Sequence, residues 1–212
     1  CAVFNALGVA QAQTAIMADA NNMVDIAYPV VAKILSQDIA HKTDAGGVVL
    51  NISDAAQLKQ AAQDIFIHVR AKHPRALLNG ILVQRMERGL AEVIIGYKHD
   101  PQVGPLIVLG VGGVLAEIYH DIAMRLAPVS IATAEEMINE IKGLSIIRGY
   151  RGLPRGDCAA LAQAVAAFSQ LAAFDDIAEA EINPLIVRHE GEGVVAVDGL
   201  IVRRSSAAEQ RQ

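Results

Sequence analysis

The chain has 212 residues, 18 basic and 23 acidic, and is 53% hydrophobic with 4% aromatic content and no tryptophan. That is enough apolar material for one large core or two smaller ones, which excludes intrinsic disorder. The formal charge of −5 and a pI near 5.7 speak against a nucleic-acid partner, whose binding face leaves a basic excess.

Cys1 and Cys158 give neither a disulfide framework nor zinc spacing, so a reducing, cytoplasmic setting is expected. No signal peptide or membrane span is expected. The uncharged opening is broken by Asn5, Gln11, Gln13 and Thr14, and the alanine-rich run 158–174 by Gln163, Ser169 and Gln170. A sequence that opens on Cys1 within a helix-like stretch reads as a fragment of something longer.

In chain order, residues 3–7 before Gly8 predict the tail of a helix, and 14–18 a short strand. Residues 28–35 (YPVVAKIL) predict a strand with one lysine, Lys33, in its interior. The loop 36–47 leads to a strand at 48–52. A helix follows, capped by Ser53 or Asp54, with Asp54 and Gln57 spaced as a capping box and Leu58, Ala62, Ile65, Phe66 and Val69 forming one apolar stripe.

The runs 80–86 and 91–97 read as a hairpin joined by Glu87–Leu90. A lobe boundary is placed near residue 99, giving an N-terminal lobe 1–98, a C-terminal lobe 99–204 and a tail 205–212. In the second lobe come a run at 106–111, a glycine-rich GVGGV, a strand near 123–128 and a helix capped by Thr133 with Glu136. An arginine–glycine stretch from Arg148 and an alanine-rich helix opened by Asp157 follow. The runs 178–188 and 194–203, separated by HEGEG, predict an antiparallel pair. The fold class is α+β in two lobes.

The last hairpin yields geometry. Asn183 and Asp198 are equidistant from a turn centred between Glu190 and Gly191, so an undistorted register sets them opposite each other with Cβ atoms ~4.5–5.5 Å apart. An amide oxygen and a carboxylate at that distance suit one hard divalent cation such as Mg²⁺. Glu181 lies on the same face. Spacing alone favours the plainer reading, a solvated edge strand with a turn-adjacent Asp.

Lys33 reads either as a point charge for phosphate oxygens or as an edge-strand guard against aggregation. In the loop IAHKTDAGGV, Gly46 and Gly47 allow backbone N–H groups to turn toward an anion, with Lys42 and Lys33 supplying charge. No GxxxxGK[ST] occurs, and Gly110, Gly112 and Gly113 fail GxGxxG because Leu115 takes the third glycine position.

Of six histidines, His68, His73, His99, His120 and His189 sit in surface-like contexts. His41, beside Lys42 in the glycine-rich loop, is placed for a nucleophilic imidazole to meet a phosphoryl group. Arg148, Arg151 and Arg155 form a basic segment suited to an anion or simply to solvent.

Taken in order, YPVVAKILSQDIAHKTDAGGVVLNI, GILVQRMERGLAEVIIGYKHDPQVGPLIVLGVGGVLAEIYHDIAMRLAP, IIRGYRGLPRGD and AEINPLIV with its following VDG closely resemble the ATP-grasp domain of the NDP-forming acyl-CoA synthetases, related to the succinyl-CoA synthetase beta subunit. The resemblance runs from about Leu7 to Arg203. It implies the ATP-grasp fold, two α+β lobes gripping ATP between their sheets.

By that resemblance Lys33 contacts nucleotide phosphates under the loop of Gly46 and Gly47, and Gln84, Arg85 and Met86 form a hinge whose backbone reads the adenine edge. Glu92 meets the ribose, Asn183 and Asp198 hold Mg²⁺, and His41 carries a phosphoryl group. Glu117, Asp121 and Arg125 take supporting roles.

The implied reaction converts acid, CoA and ATP into acyl-CoA, ADP and phosphate through an acyl-phosphate and a phosphohistidine. The cofactors are ATP and Mg²⁺. CoA-binding and ligase domains, on a longer parent polypeptide or a partner subunit, are needed to complete it, and an oligomer is expected of the full enzyme. Two other readings are a regulatory synthetase-like domain of a protein lysine acetyltransferase and an ATP-grasp ligase joining a carboxylate to an amine.

Overall fold

The structure is a computed structural model that describes residues 2–39, 41–112 and 121–204. It divides into two compact units, a smaller one of Ala12–Met86 and a larger one of Cys1–Gln11 with Glu87–Gln212.

In the smaller unit, β1 (Thr14–Met17), β2 (Val30–Ile34), β3 (Val48–Ile52) and β4 (Ile81–Arg85) form an antiparallel sheet in the order β1-β4-β2-β3. One long helix, α2 (Ala55–Lys72), packs on it; the short α1 (Ala2–Ala6) belongs to the other unit. Asp54 starts α2 by accepting the Gln57 N–H at 2.9 Å, while the Gln57 side chain turns back to the Ser53 N–H at 3.2 Å. Arg70 and Lys72 in its last turn complement the helix dipole.

The helix buries Leu58, Ala61, Ala62, Ile65 and Val69 against Ala32, Ile34, Ile81 and Val83. Each large aliphatic side chain there contributes about 1.5–3 kcal/mol. Alternation along β2 and β4 leaves Val31, Lys33, Leu82 and Gln84 on the opposite face.

The larger unit is built on β5 (Ala91–Asp100), β6 (Gly104–Val111), β7 (Ile122–Leu126), β8 (Ile177–Val187), β9 (Val194–Ala196) and β10 (Gly199–Arg203). Its six-stranded antiparallel sheet runs β10-β8-β5-β6-β7, with β9 also paired to β8. Two helices, α3 (Ile131–Glu140) and α4 (Cys158–Ser169), bury Met137, Ile138, Leu161, Val165 and Phe168 in a core with Val93, Ile95, Ile107 and Leu109 from the strands.

The first residues join this core. Phe4 of the short α1 (Ala2–Ala6) is 2% exposed and meets Phe168 at 5.8 Å between ring centroids. Ala10 accepts the Ala196 N–H at 2.8 Å. A side chain on Gly199 would collide with the Phe4 ring, which explains the glycine.

Three expectations are corrected. The boundary falls after Met86, because residue 99 lies inside β5, one continuous strand paired on both edges. Residues 80–86 and 91–97 are strands but not a hairpin, since β4 and β5 lie in different sheets. The link between them is tied instead to the end of β8, with the Leu90 N–H on Val187 O at 2.8 Å. β5 instead makes its hairpin with β6, across a turn in which Asp100 accepts the Gln102 and Val103 N–H groups at 2.8 and 3.0 Å.

Finally, α3 is capped by Ser130, whose hydroxyl accepts the Thr133 N–H at 3.1 Å, so it starts earlier than a Thr133 cap would place it. Among the described residues no helix is long and apolar enough to cross a membrane.

Candidate functional site

In the smaller unit Lys33 is paired across to Leu82 on β4 and Val48 on β3. Its ammonium donates to Gln84 Oε1 at 3.1 Å, and Gln84 is 4% exposed. The loop that follows carries His41, exposed, and Lys42, half-buried.

The two glycines of this loop do not turn their N–H groups toward an anion. Gly46 N–H donates to Thr43 O at 2.9 Å, Gly47 N–H to Lys42 O at 2.7 Å, and Ala45 N–H to His41 O at 3.2 Å. The loop is thereby wound on itself and closed onto β2, where Ile34 N–H reaches Gly47 O at 2.7 Å. A Cβ on Gly47 would lie 2.5 Å from Ile34 Cγ2, and Gly46 has a φ of +71°. Close approach and a left-handed turn are thus the physical reasons for this pair.

Two bonds pin the loop to the last residue of α2 and to the segment that follows it. Asp38 accepts the Leu77 N–H at 2.7 Å, and Lys72 donates to Asp44 O at 2.7 Å.

The strand end at Gln84, Arg85 and Met86 is also committed internally. Arg85 N–H donates to Gln13 O and Met86 N–H to Pro29 O, both at 2.9 Å. A base edge reading this backbone would therefore have to use groups other than those two amides.

In the larger unit Glu92 lines a cavity of about 510 Å³ bounded by residues 87–92, the end of β6 at Val111 and Gly112, and a turn at Gly143, Leu144 and Ile146. Glu87, one of its lining residues, is held by an ion pair: Arg188 Nη2 meets Glu87 Oε2 at 2.5 Å, with the Glu87 side chain 8% exposed. Asp121 holds the turn by accepting the Lys142 and Gly143 N–H groups at 3.1 and 2.6 Å. Arg125 pairs with Glu140 on the surface. Asp121 thus fastens this turn; Glu117 lies outside the described residues.

The arginine–glycine segment divides likewise. Arg148 caps the end of α3 by donating to Ile138 O at 2.7 Å and Asn139 O at 3.1 Å, a favourable place for a cation. Arg151 stacks on Tyr150 at 5.3 Å.

The acid–amide pair is set by register. β8 pairs with β9 through Leu185 and Ala196 and with β10 through Ile182 and Gly199. Both flanks place Asn183 opposite Asp198, and Asn183 N–H donates to Asp198 O at 3.0 Å. This is the opposition that the turn count implies. Both residues are exposed, as is Glu181 two positions earlier.

Sequence reasoning saw Asp157 only as a helix cap. Its Oδ1 does accept the Ala160 N–H at 3.0 Å, but Oδ2 accepts Gly191 and Gly193 N–H groups at 3.0 and 2.9 Å, across the hairpin turn. The Ala160 bond, joined by those from Gly193 and Gly191, holds this carboxyl below the usual carboxylate range against the opposing effect of burial. The clamp secures the turn from which the Asn183–Asp198 register is counted. The paired glycines of HEGEG were the available signal.

Comparison with known proteins gives the context. A family model described as an ATP-grasp domain matches residues 1–202. The ADP-forming acetate–CoA ligase I of Archaeoglobus fulgidus is 38% identical over 198 residues, which cover 91% of the present sequence and 29% of that protein. The beta subunit of the ADP-forming acetate–CoA ligase II of Pyrococcus furiosus is 38% identical over 180 residues, which cover 84% of the present sequence and 76% of that subunit.

A solved structure of the dinucleotide-forming acetyl-coenzyme A synthetase 1 of Candidatus Korarchaeum cryptofilum, in complex with coenzyme A, Ca-AMPCP and HgCl+, aligns with a TM-score of 0.86 at 33% identity. The alignment covers 95% of the present sequence and 89% of the Korarchaeum chain. The protein therefore spans under a third of the Archaeoglobus ligase and most of the separate Pyrococcus beta subunit. With its antiparallel sheets, its strand lysine and its opposed amide and acid all in the expected order, the chain belongs to the ATP-grasp domains of the ADP-forming acyl-CoA synthetase family.

Proposed function

We propose that this chain is the ATP-binding, phosphoryl-transferring module of an ADP-forming acyl-CoA synthetase, working with CoA-binding and ligase domains on a longer parent polypeptide or partner subunit in the cytoplasm. The carrying observation is the register that opposes Asn183 and Asp198, because it needs no ligand to be present and matches the metal-holding pair that the resemblance implies.

An amide oxygen and one carboxylate fit Mg²⁺, which takes few protein oxygens and fills its shell with water and nucleotide phosphates. A solved structure of the K. cryptofilum enzyme holds Mg-AMPPCP beside coenzyme A. The metal, when bound, neutralises charge on the phosphates.

The protein's own residues do the rest. Lys33 supplies a positive charge on the sheet face away from α2, and Lys42 a second on the loop. His41, exposed on that loop, accepts the phosphoryl group: an imidazole nitrogen forms the N–P bond as the bond from phosphorus to the ADP oxygen breaks, and ADP leaves. Glu92, beside the 510 Å³ cavity, takes the ribose hydroxyls. Positioning and charge neutralisation carry most of the rate enhancement.

A regulatory domain with a decayed nucleotide site would be expected to have lost some of these groups, whereas Lys33, Asn183 and Asp198 are all in place. The test is a thermal-shift titration with ATP, with and without Mg²⁺, on the full-length protein. Stabilisation that requires both is expected; no shift with either rejects the reading.

A further inference from the structure

The hinge reading of Gln84 concerns its backbone, yet its side chain has a separate task. Val31 is paired with Gln84 and Lys33 with Leu82, so Lys33 and Gln84 are diagonal neighbours on one face of the sheet, within reach of long side chains. The contact is direct, Lys33 Nζ to Gln84 Oε1 at 3.1 Å. An ammonium only donates, so the amide must present its oxygen to Lys33.

Two features make this more than a passing surface bond. Gln84 is 4% exposed, and a side chain so buried keeps one rotamer. Lysine carries among the largest rotamer entropies of any residue, and a fixed acceptor removes part of that freedom before a ligand arrives. The acceptor is also neutral. A carboxylate at this position would hold the ammonium equally well but would set a negative charge against it and compete with an anionic ligand; an amide holds it without adding a negative charge of its own.

We infer that Gln84 is a positioning residue, whose side-chain carbonyl holds the Lys33 ammonium for the phosphates of a nucleotide. The inference rests on the nucleotide reading above and makes a narrower claim: Gln84 acts on phosphates through Lys33, not on the base.

The experiment measures binding of adenosine, ADP and Mg-ATP to the full-length protein by calorimetry for the wild type, Gln84→Glu, Gln84→Met, Lys33→Met and the two double variants. Gln84→Glu keeps the shape and adds a charge; Gln84→Met keeps the bulk and removes the acceptor. Gln84→Glu is expected to weaken ADP and ATP about tenfold or more, the scale of one charge-assisted hydrogen bond, with adenosine within about twofold. Gln84→Met should weaken ATP by a smaller factor and again spare adenosine. In the Lys33→Met background either Gln84 change should add less than about twofold, since coupled residues are non-additive.

Adenosine weakened as much as ATP, or effects that simply add to those of Lys33→Met, would overturn the inference. So would Gln84 variants indistinguishable from a wild type that binds ATP. A wild type that binds none of the three ligands overturns the nucleotide reading itself, and the inference with it. Should Gln84→Met melt early, the isosteric Gln84→Glu arm decides.

Discussion

The two units solve the same problem, holding polar groups still on a sheet, by opposite routes. In the smaller one the groups are fixed locally. Lys33 is held by its diagonal neighbour Gln84, and the loop of His41 and Lys42 is wound on its own backbone and closed onto β2. In the larger one they are fixed remotely: Asn183 and Asp198 meet because a turn several residues away has the right length, and Asp157 on another element clamps that turn. Local fixing tolerates little change at the contact itself. Remote fixing tolerates change at the pair but not in the register.

The largest effect expected is on the local side. Lys33→Met should lower phosphoryl transfer by at least about 100-fold in the full-length protein, as removal of one preorganised charge does elsewhere, with the melting temperature little changed. A rate close to wild type would show that the strand lysine is a sheet-edge feature.

Asp198→Asn tests the remote side. It keeps the register but replaces the carboxylate, so the Mg²⁺ concentration giving half-maximal activity should rise about tenfold. A metal titration with an unchanged midpoint breaks the comparison by removing the pair from the site.

Gly47→Ala places a Cβ 2.5 Å from Ile34 Cγ2. It should lower stability by about 1–3 kcal/mol, the usual scale of overpacking, read by denaturant unfolding.

The Asp157 clamp makes a pH-dependent prediction. Its folded-state carboxyl is held below the ordinary value, so its stabilising contribution is complete above the unfolded-state value of about 3.9. The contribution is lost as pH falls through the lower, folded-state value. Asp157→Ala should therefore cost about 1–2 kcal/mol at neutral pH from the cap alone, and the gap to wild type should narrow in acid. An equal gap at all pH values would remove the charge from the explanation. The smallest effect is expected from Arg125→Gln: its exposed pair with Glu140 should leave the melting temperature unchanged within error.

Much of this architecture was legible in residue order. The runs of β-branched and aliphatic residues gave β2, β3 and β8; a cap at Ser53 or Asp54 and one at Asp157 gave the starts of α2 and α4; and the spacing about the HEGEG turn gave the opposition of Asn183 and Asp198. The errors share one cause. β4 and β5 looked like a hairpin because they are close in sequence, and the boundary was drawn after them for the same reason, yet each strand found its partners elsewhere. Likewise Gly46 and Gly47 advertise conformational freedom without saying which acceptor their N–H groups will take.

The sequence by itself determined what is periodic or local: the strand and helix types, the caps, the lysine on β2, and the register of a hairpin whose turn sits at its centre. Only the tertiary structure decided which sheet each strand enters, that Gln84 accepts a hydrogen bond from Lys33, that Asp157 clamps a turn 34 residues away, and that Phe4 and Val9 pack into the larger core. Those are pairings between groups widely separated in sequence. They are selected by burial and hydrogen-bond satisfaction summed over the whole molecule, which no short window of sequence contains.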